Sequence, residues 1–137
     1  RAGINMTAKI LIVEDEMLVA MEMKDVVEDL GHTPVGIAPD AESALILAEL
    51  NPDLALVDLH LRDGLTGCNV AERLIERGVA VVFVTANPRM VAHGIKGALG
   101  VMGKPVDETM IQAVISFFAA WRKGLSARPP AGLTLFA

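Results

Sequence analysis

Residues 54–67 read LALVDLHLRDGLTG, a strand-like run that closes on a carboxylate. Leu54, Ala55, Leu56 and Val57 suit a strand buried on both faces, as in a parallel sheet covered by helices. Asp58 interrupts that pattern, and Arg62, Asp63, Gly64 and Gly67 then supply turn chemistry. What surrounds this stretch decides what the carboxylate is for.

Outward from it, strand and helix signals alternate. KILIV (9–13), TPVGIA (33–38), VAVVFVT (79–85) and a brief run at 99–102 read as further strands. Apolar spacing at Leu18, Met21, Val26 and Leu30, closed by Gly31, predicts a first helix. Asp40 is the expected N-cap of AESALILAEL, which Asn51-Pro52 stops. CNVAERLIERG predicts a third helix ending at Gly78, residues 88–97 a fourth, and VDETMIQAVISFFAAWRKG a long last one. Five strands alternating with five helices predict an α/β fold: a doubly wound, open parallel sheet with right-handed crossovers.

The chain has 137 residues, enough for one domain, and 53% of them are hydrophobic. Mean hydropathy is +0.47, yet no apolar run nears the roughly 18 residues of a membrane span. Net charge is −5 without a basic run, which argues against nucleic-acid and membrane-surface partners. Cys68 stands alone, so neither an internal disulfide nor a cysteine zinc cluster is expected, in keeping with a reducing cytoplasm. Residues 1–6 read as a tag remnant and disordered start, 7–125 as the folded unit, and 126–137 as a loosely ordered Pro/Gly-bearing tail.

In open parallel sheets ligands bind beyond the carboxyl ends of the strands. Glu14, Asp15 and Glu16 follow the first strand, Asp58 the third, Thr85 ends the fourth, and Lys104-Pro105 follows the fifth. Glu14, Asp15 and Asp58 would converge and repel one another, a conflict that a hard divalent cation removes. Mg²⁺ takes oxygen ligands, and the backbone carbonyl of His60 could complete the set. Asp58 would then be a phosphoryl acceptor, with Lys104 and Thr85 holding the transferred group.

In these motifs the chain resembles the receiver domain of two-component response regulators, the CheY-like family. The matching pieces are ILIVEDE, LALVDLHL, VVFVTA and GALGVMGKPV, in that order and over about residues 9–123. The resemblance implies a flavodoxin-like fold of five βα units with strand order 2-1-3-4-5. It implies that Asp58 takes phosphate from a histidine kinase or phosphotransfer protein, with Asp15 binding Mg²⁺ directly and Glu14 through water. It further implies that Thr85 moves toward the phosphoryl group, that Lys104 pairs with it, and that the bond to Pro105 is cis.

Departures from the family pattern accompany the likeness. Val101 stands where receivers usually carry an aromatic residue, and Val106 where Phe is common. The turn after Asp58 lacks the usual proline and is one residue longer, as in general-stress receivers of alphaproteobacteria. The last helix carries a core stripe of Met110, Ile111, Val114, Ile115 and Phe118, widened by Phe117 and Trp121. That width predicts contact with the tail, or with a downstream partner or second copy on the face of the fourth helix, fifth strand and fifth helix. His32 and His93 are expected to be structural, and His60 either tunes the phosphoryl group or faces solvent.

Rival readings fall on single residues. A haloacid-dehalogenase-like phosphatase needs an acid two residues after its nucleophile, where this chain has His60. A flavodoxin would hold phosphate in the loop that here carries three acids. A pseudo-receiver, folded alike but used only for protein binding, is the remaining alternative. The expectation is therefore a phosphoacceptor switch that is not itself an enzyme, standing alone without an output domain or excised from a longer regulator.

Overall fold

The computed structural model describes residues 7–136; the start read as a tag remnant, 1–6, lies outside them. Its strands are β1 (Lys9–Val13), β2 (Thr33–Ala38), β3 (Leu54–Val57), β4 (Ala80–Thr85), β5 (Gly100–Gly103) and β6 (Leu133–Leu135). The helices are α1 (Met17–Asp29), α2 (Ala41–Leu47), α3 (Gly67–Glu76) and α4 (Glu108–Arg122). The sheet runs β2-β1-β3-β4-β5-β6, parallel throughout except for the antiparallel last pair. None of the described helices is long and apolar enough to cross a membrane.

Period-two alternation sends side chains to two separate cores. Ile10, Ile12, Leu54, Leu56, Val82 and Val84 face one layer, where α1 and α4 cover them. Leu11, Val13, Ala55, Val57, Val81 and Phe83 face the other, under α2 and α3. Both faces being buried explains the unbroken apolar runs. Asp40 caps α2 as expected, its Oδ1 accepting the Ser43 N–H at 2.9 Å. Asp107, not foreseen as a cap, does the same for α4 through the Met110 N–H at 2.9 Å.

Three expectations need correction. The helix expected over 88–97 is only a 3₁₀ turn, Pro88–Val91. Gly94 and Gly97 follow at φ +83° and +90°, left-handed values at which a right-handed helix cannot continue. The last helix is therefore α4, and the tail after it is not loose: Leu133–Leu135 adds a sixth strand to β5. Finally, α1 turns a different face inward. Ala20, Met23, Val26 and Val27 are buried, while Leu18 is 86% exposed and Met21 51%.

Candidate functional site

The carboxyl ends of β1, β3, β4 and β5 bring one polar cluster together. Among the described residues, the buried polar or charged side chains are Glu14, Asp58 and Thr85, all from this edge. Asp58 follows β3 and is fixed by its backbone, its N–H donating to Val13 O at 2.9 Å. Its Oδ1 accepts the Leu59 N–H at 2.7 Å, leaving Oδ2 facing Lys104 at 2.9 Å. Sequence reasoning missed what lies behind it. A Cβ on Gly67, which opens α3, would stand 2.1 Å from Asp58 O, so only glycine lets that helix start here.

Lys104 follows β5 and reaches three carboxylates at once. Its Nζ lies 2.8 Å from Glu14 Oε1, 2.9 Å from Glu16 Oε1 and 2.9 Å from Asp58 Oδ2. Burial alone would lower the pKa of this ammonium, but Glu14, Glu16 and Asp58 outweigh it and hold the lysine charged well above its ordinary range. Glu14 shifts the other way from a usual paired carboxylate. Burial raises its pKa more than Lys104 and the Glu16 N–H lower it, and the Asp58 charge adds to the rise.

Glu14 Oε2 accepts the Glu16 N–H at 3.1 Å, whereas Oε1 is buried. Its partner is the Lys104 ammonium, 2.8 Å away, which it shares with Glu16 and Asp58. Oxygens of Glu14, Glu16 and Asp58 lie within 4.8 Å of one another. Three carboxylates against one ammonium leave negative charge in excess. An all-oxygen donor set with that excess of negative charge fits a hard divalent cation.

The placement of the other expected residues differs in part. Asp15 does not join the converging acids: its side chain is exposed, and Glu16 takes that place in the cluster. The chain bends at Asp15, and the residue that shares the cluster with Glu14 is the one two along, not the next. Thr85 is fully buried; its Oγ1 accepts the Asn87 N–H at 3.1 Å and its carbonyl the Lys104 N–H at 2.7 Å. The Lys104-Pro105 bond is cis. His60 is exposed, at the start of a turn tied to α2 by Arg62 with Asp40 and by Asp63 with the Ala41 N–H. Ser43 hydrogen bonds, backed by Arg62, pull Asp40 down to about 2.

At the outer edge, Val101 is 5% exposed and Phe117 6%, both within the cores. Phe117 is thus not a surface contact; the tail residue Leu133 shares its core layer. Trp121 remains half exposed.

Known proteins share the fold and part of the sequence. A family model described as response regulator receiver domain matches residues 10–116. The phyllosphere-induced regulator PhyR of Methylorubrum extorquens is 35% identical over 116 residues, 82% of this chain and 43% of that protein. In the crystal structure of the response regulator PhyR from Brucella abortus, the similarity reaches a TM-score of 0.76 at 32% identity, over 86% of this chain and 50% of that one. The receiver domain of Erythrobacter litoralis PhyR, solved in solution, matches with a TM-score of 0.73 at 29% identity, over 91% of this chain and 96% of that one. The chain spans less than half the length of the curated PhyR relative.

Proposed function

The chain belongs to the response regulator receiver family, and from that premise we propose that Asp58 accepts a phosphoryl group from a histidine kinase or phosphotransfer protein. The phosphoacceptor unit is residues 7–125. A carboxylate oxygen of Asp58 attacks phosphorus, a P–O bond forms, and the P–N bond to the donor imidazole breaks. Lys104 stays charged beside the acceptor and offsets the negative charge of the incoming group. Thr85, on the neighbouring strand, supplies the hydroxyl that the phosphoryl oxygens draw in, shifting a two-state population.

Mg²⁺ is the cation proposed for the cluster, held by Glu14, Glu16 and Asp58 with the His60 carbonyl from the loop after β3, in place of the set with Asp15 expected from the sequence. When bound it neutralises charge on the transferring oxygens. The observation that carries this reading is the convergence of three carboxylates, Glu14, Glu16 and Asp58, on the single Lys104 ammonium, with their oxygens within 4.8 Å of one another. A partner protein or a second copy is proposed to read the state of Asp58 on the side of β5 and α4, beside Pro105 and Trp121.

The test is incubation with acetyl phosphate, with and without Mg²⁺, followed by intact-mass measurement. The expected result is one Mg²⁺-dependent phosphoryl adduct on the wild type and none on Asp58→Asn. No adduct under either condition would leave the pseudo-receiver reading in its place.

A further inference from the structure

The end of the described chain lies in a seat shaped to hold it. β6 pairs with β5 through Met102↔Leu133, Val101↔Thr134 and Gly100↔Leu135, and the Phe136 N–H donates to Leu99 O at 3.0 Å. The segment feeds both cores. Leu133 is buried in the layer of α1 and α4, and Phe136 packs on the opposite layer with its ring 6.4 Å from that of Phe83.

The seat is cleared for a backbone. A Cβ on Gly100 would stand 2.4 Å from Thr134 O and 3.2 Å from both Leu133 Cδ1 and Leu135 Cα. All three neighbours belong to the strap, so the glycine serves that contact. Gly94 likewise leaves the Phe136 ring in ordinary contact, 3.6 Å from where its own Cβ would be. Yet the hold is slight. The strand has three residues, Thr134 and Leu135 are exposed, and so are residues 123–129 that lead to it. Without this segment β5 would be an open edge beside two apolar sockets, which is a template for another extended chain.

We propose that the β5 edge is a strand-addition site for an extended partner segment of apolar–polar–apolar–aromatic pattern, and that residues 133–136 occupy it as a tethered competitor. The occupant is specified by the seat itself: a leucine-sized apolar side chain for the Leu133 socket, a ring for the Phe83 side, and antiparallel direction. The tether gives the strap an effective concentration on the order of millimolar, so a free segment competes poorly until the strap is unseated. This holds whether or not Asp58 accepts phosphate.

Trp121, the single tryptophan, shares a cleft with Leu135 and Phe136, so its emission reports the strap. The probe is a labelled peptide of residues 130–136, PAGLTLF, titrated into full-length chains by fluorescence anisotropy. Leu133→Asp unseats the strap but spares the seat; Gly100→Ala damages the seat. Both should shift Trp121 emission to the red. The Leu133→Asp chain should bind the peptide roughly tenfold or more tightly than wild type, and Gly100→Ala should not bind it. A peptide carrying Leu133→Asp should fail with every chain. Equal binding by wild type and Leu133→Asp, or equal binding by Leu133→Asp and Gly100→Ala, would overturn the proposal. If circular dichroism shows Leu133→Asp unfolded, Phe136→Ala takes its place with the same expected ratio.

Discussion

Lys104 Nζ stands 2.9 Å from Asp58 Oδ2, joining the ends of β5 and β3 across the intervening β4. The same ammonium is shared with Glu14 and Glu16. It therefore competes with any divalent cation for the oxygens both would use. Lys104→Ala should strengthen Mg²⁺ binding by about tenfold, a conservative share of the Coulomb energy released at this separation. The same change should slow adduct formation from acetyl phosphate. Calorimetry at pH 8, where the buried Glu14 is ionised more fully, measures the first effect, and timed intact mass the second. Weaker Mg²⁺ binding in the variant would contradict a shared site.

Gly67 tests the site from behind. Its missing Cβ is replaced by the carbonyl of Asp58, at a distance no side-chain carbon tolerates. Gly67→Ala should push the β3 end outward, cost about 1–3 kcal/mol in urea denaturation as overpacking does, and slow phosphorylation at Asp58 although every reactive group remains. An adduct rate equal to wild type would show that the acceptor tolerates the shift.

The parallel core was legible because each strand is buried on both faces, so KILIV, LALVD and VAVVFVT stand out as apolar runs. Asp58, Thr85 and Lys104 were legible because a polar group at the end of such a run has no packing reason to be there. The misses have physical causes too. Residues 88–97 hold apolar residues at helical spacing, but Pro88, Gly94 and Gly97 dictate turns. Leu133–Leu135 is too short to read as a strand until β5 offers it an edge. Glu16 was overlooked because convergence depends on which side of a loop each carboxylate faces, and adjacency in sequence does not report that. Gly67 read only as a turn residue: a close approach between an α-helix start and the Asp58 carbonyl has no local pattern.

The phase of α1 yields a direct comparison. Met21 and Leu18 obey helical spacing but point to solvent, whereas Met23 is 1% exposed within the core of α1 and α4. Met23→Ala should cost about 2–5 kcal/mol from lost burial and the cavity left behind. Leu18→Lys and Met21→Gln should each change stability by less than about 0.5 kcal/mol. Chemical denaturation of the three variants decides the phase; a large loss from Leu18→Lys would reverse it.

His32 links the start of β2 to the start of β1: its Nδ1 accepts the Ala8 N–H at 3.0 Å, a bond only the neutral ring makes. Burial, with the nearby positive charge of Arg122, lowers its pKa below the ordinary 6.5. Arg122 is itself paired with Asp53 and donates to Thr7 O. As pH falls through 6.5 the unfolded chain gains a proton that the folded chain refuses. Stability from this group is therefore complete above 6.5, declines with acidification, and levels off once pH passes below the folded value. Glu14, whose pKa is raised, contributes with the opposite sign, but equally in any variant at position 32. His32→Asn keeps an acceptor oxygen on a short side chain and removes the titration. Thermal melts between pH 7.5 and 5.5 should show a steeper fall in Tm for wild type than for His32→Asn, and parallel curves would assign the acid sensitivity to other groups.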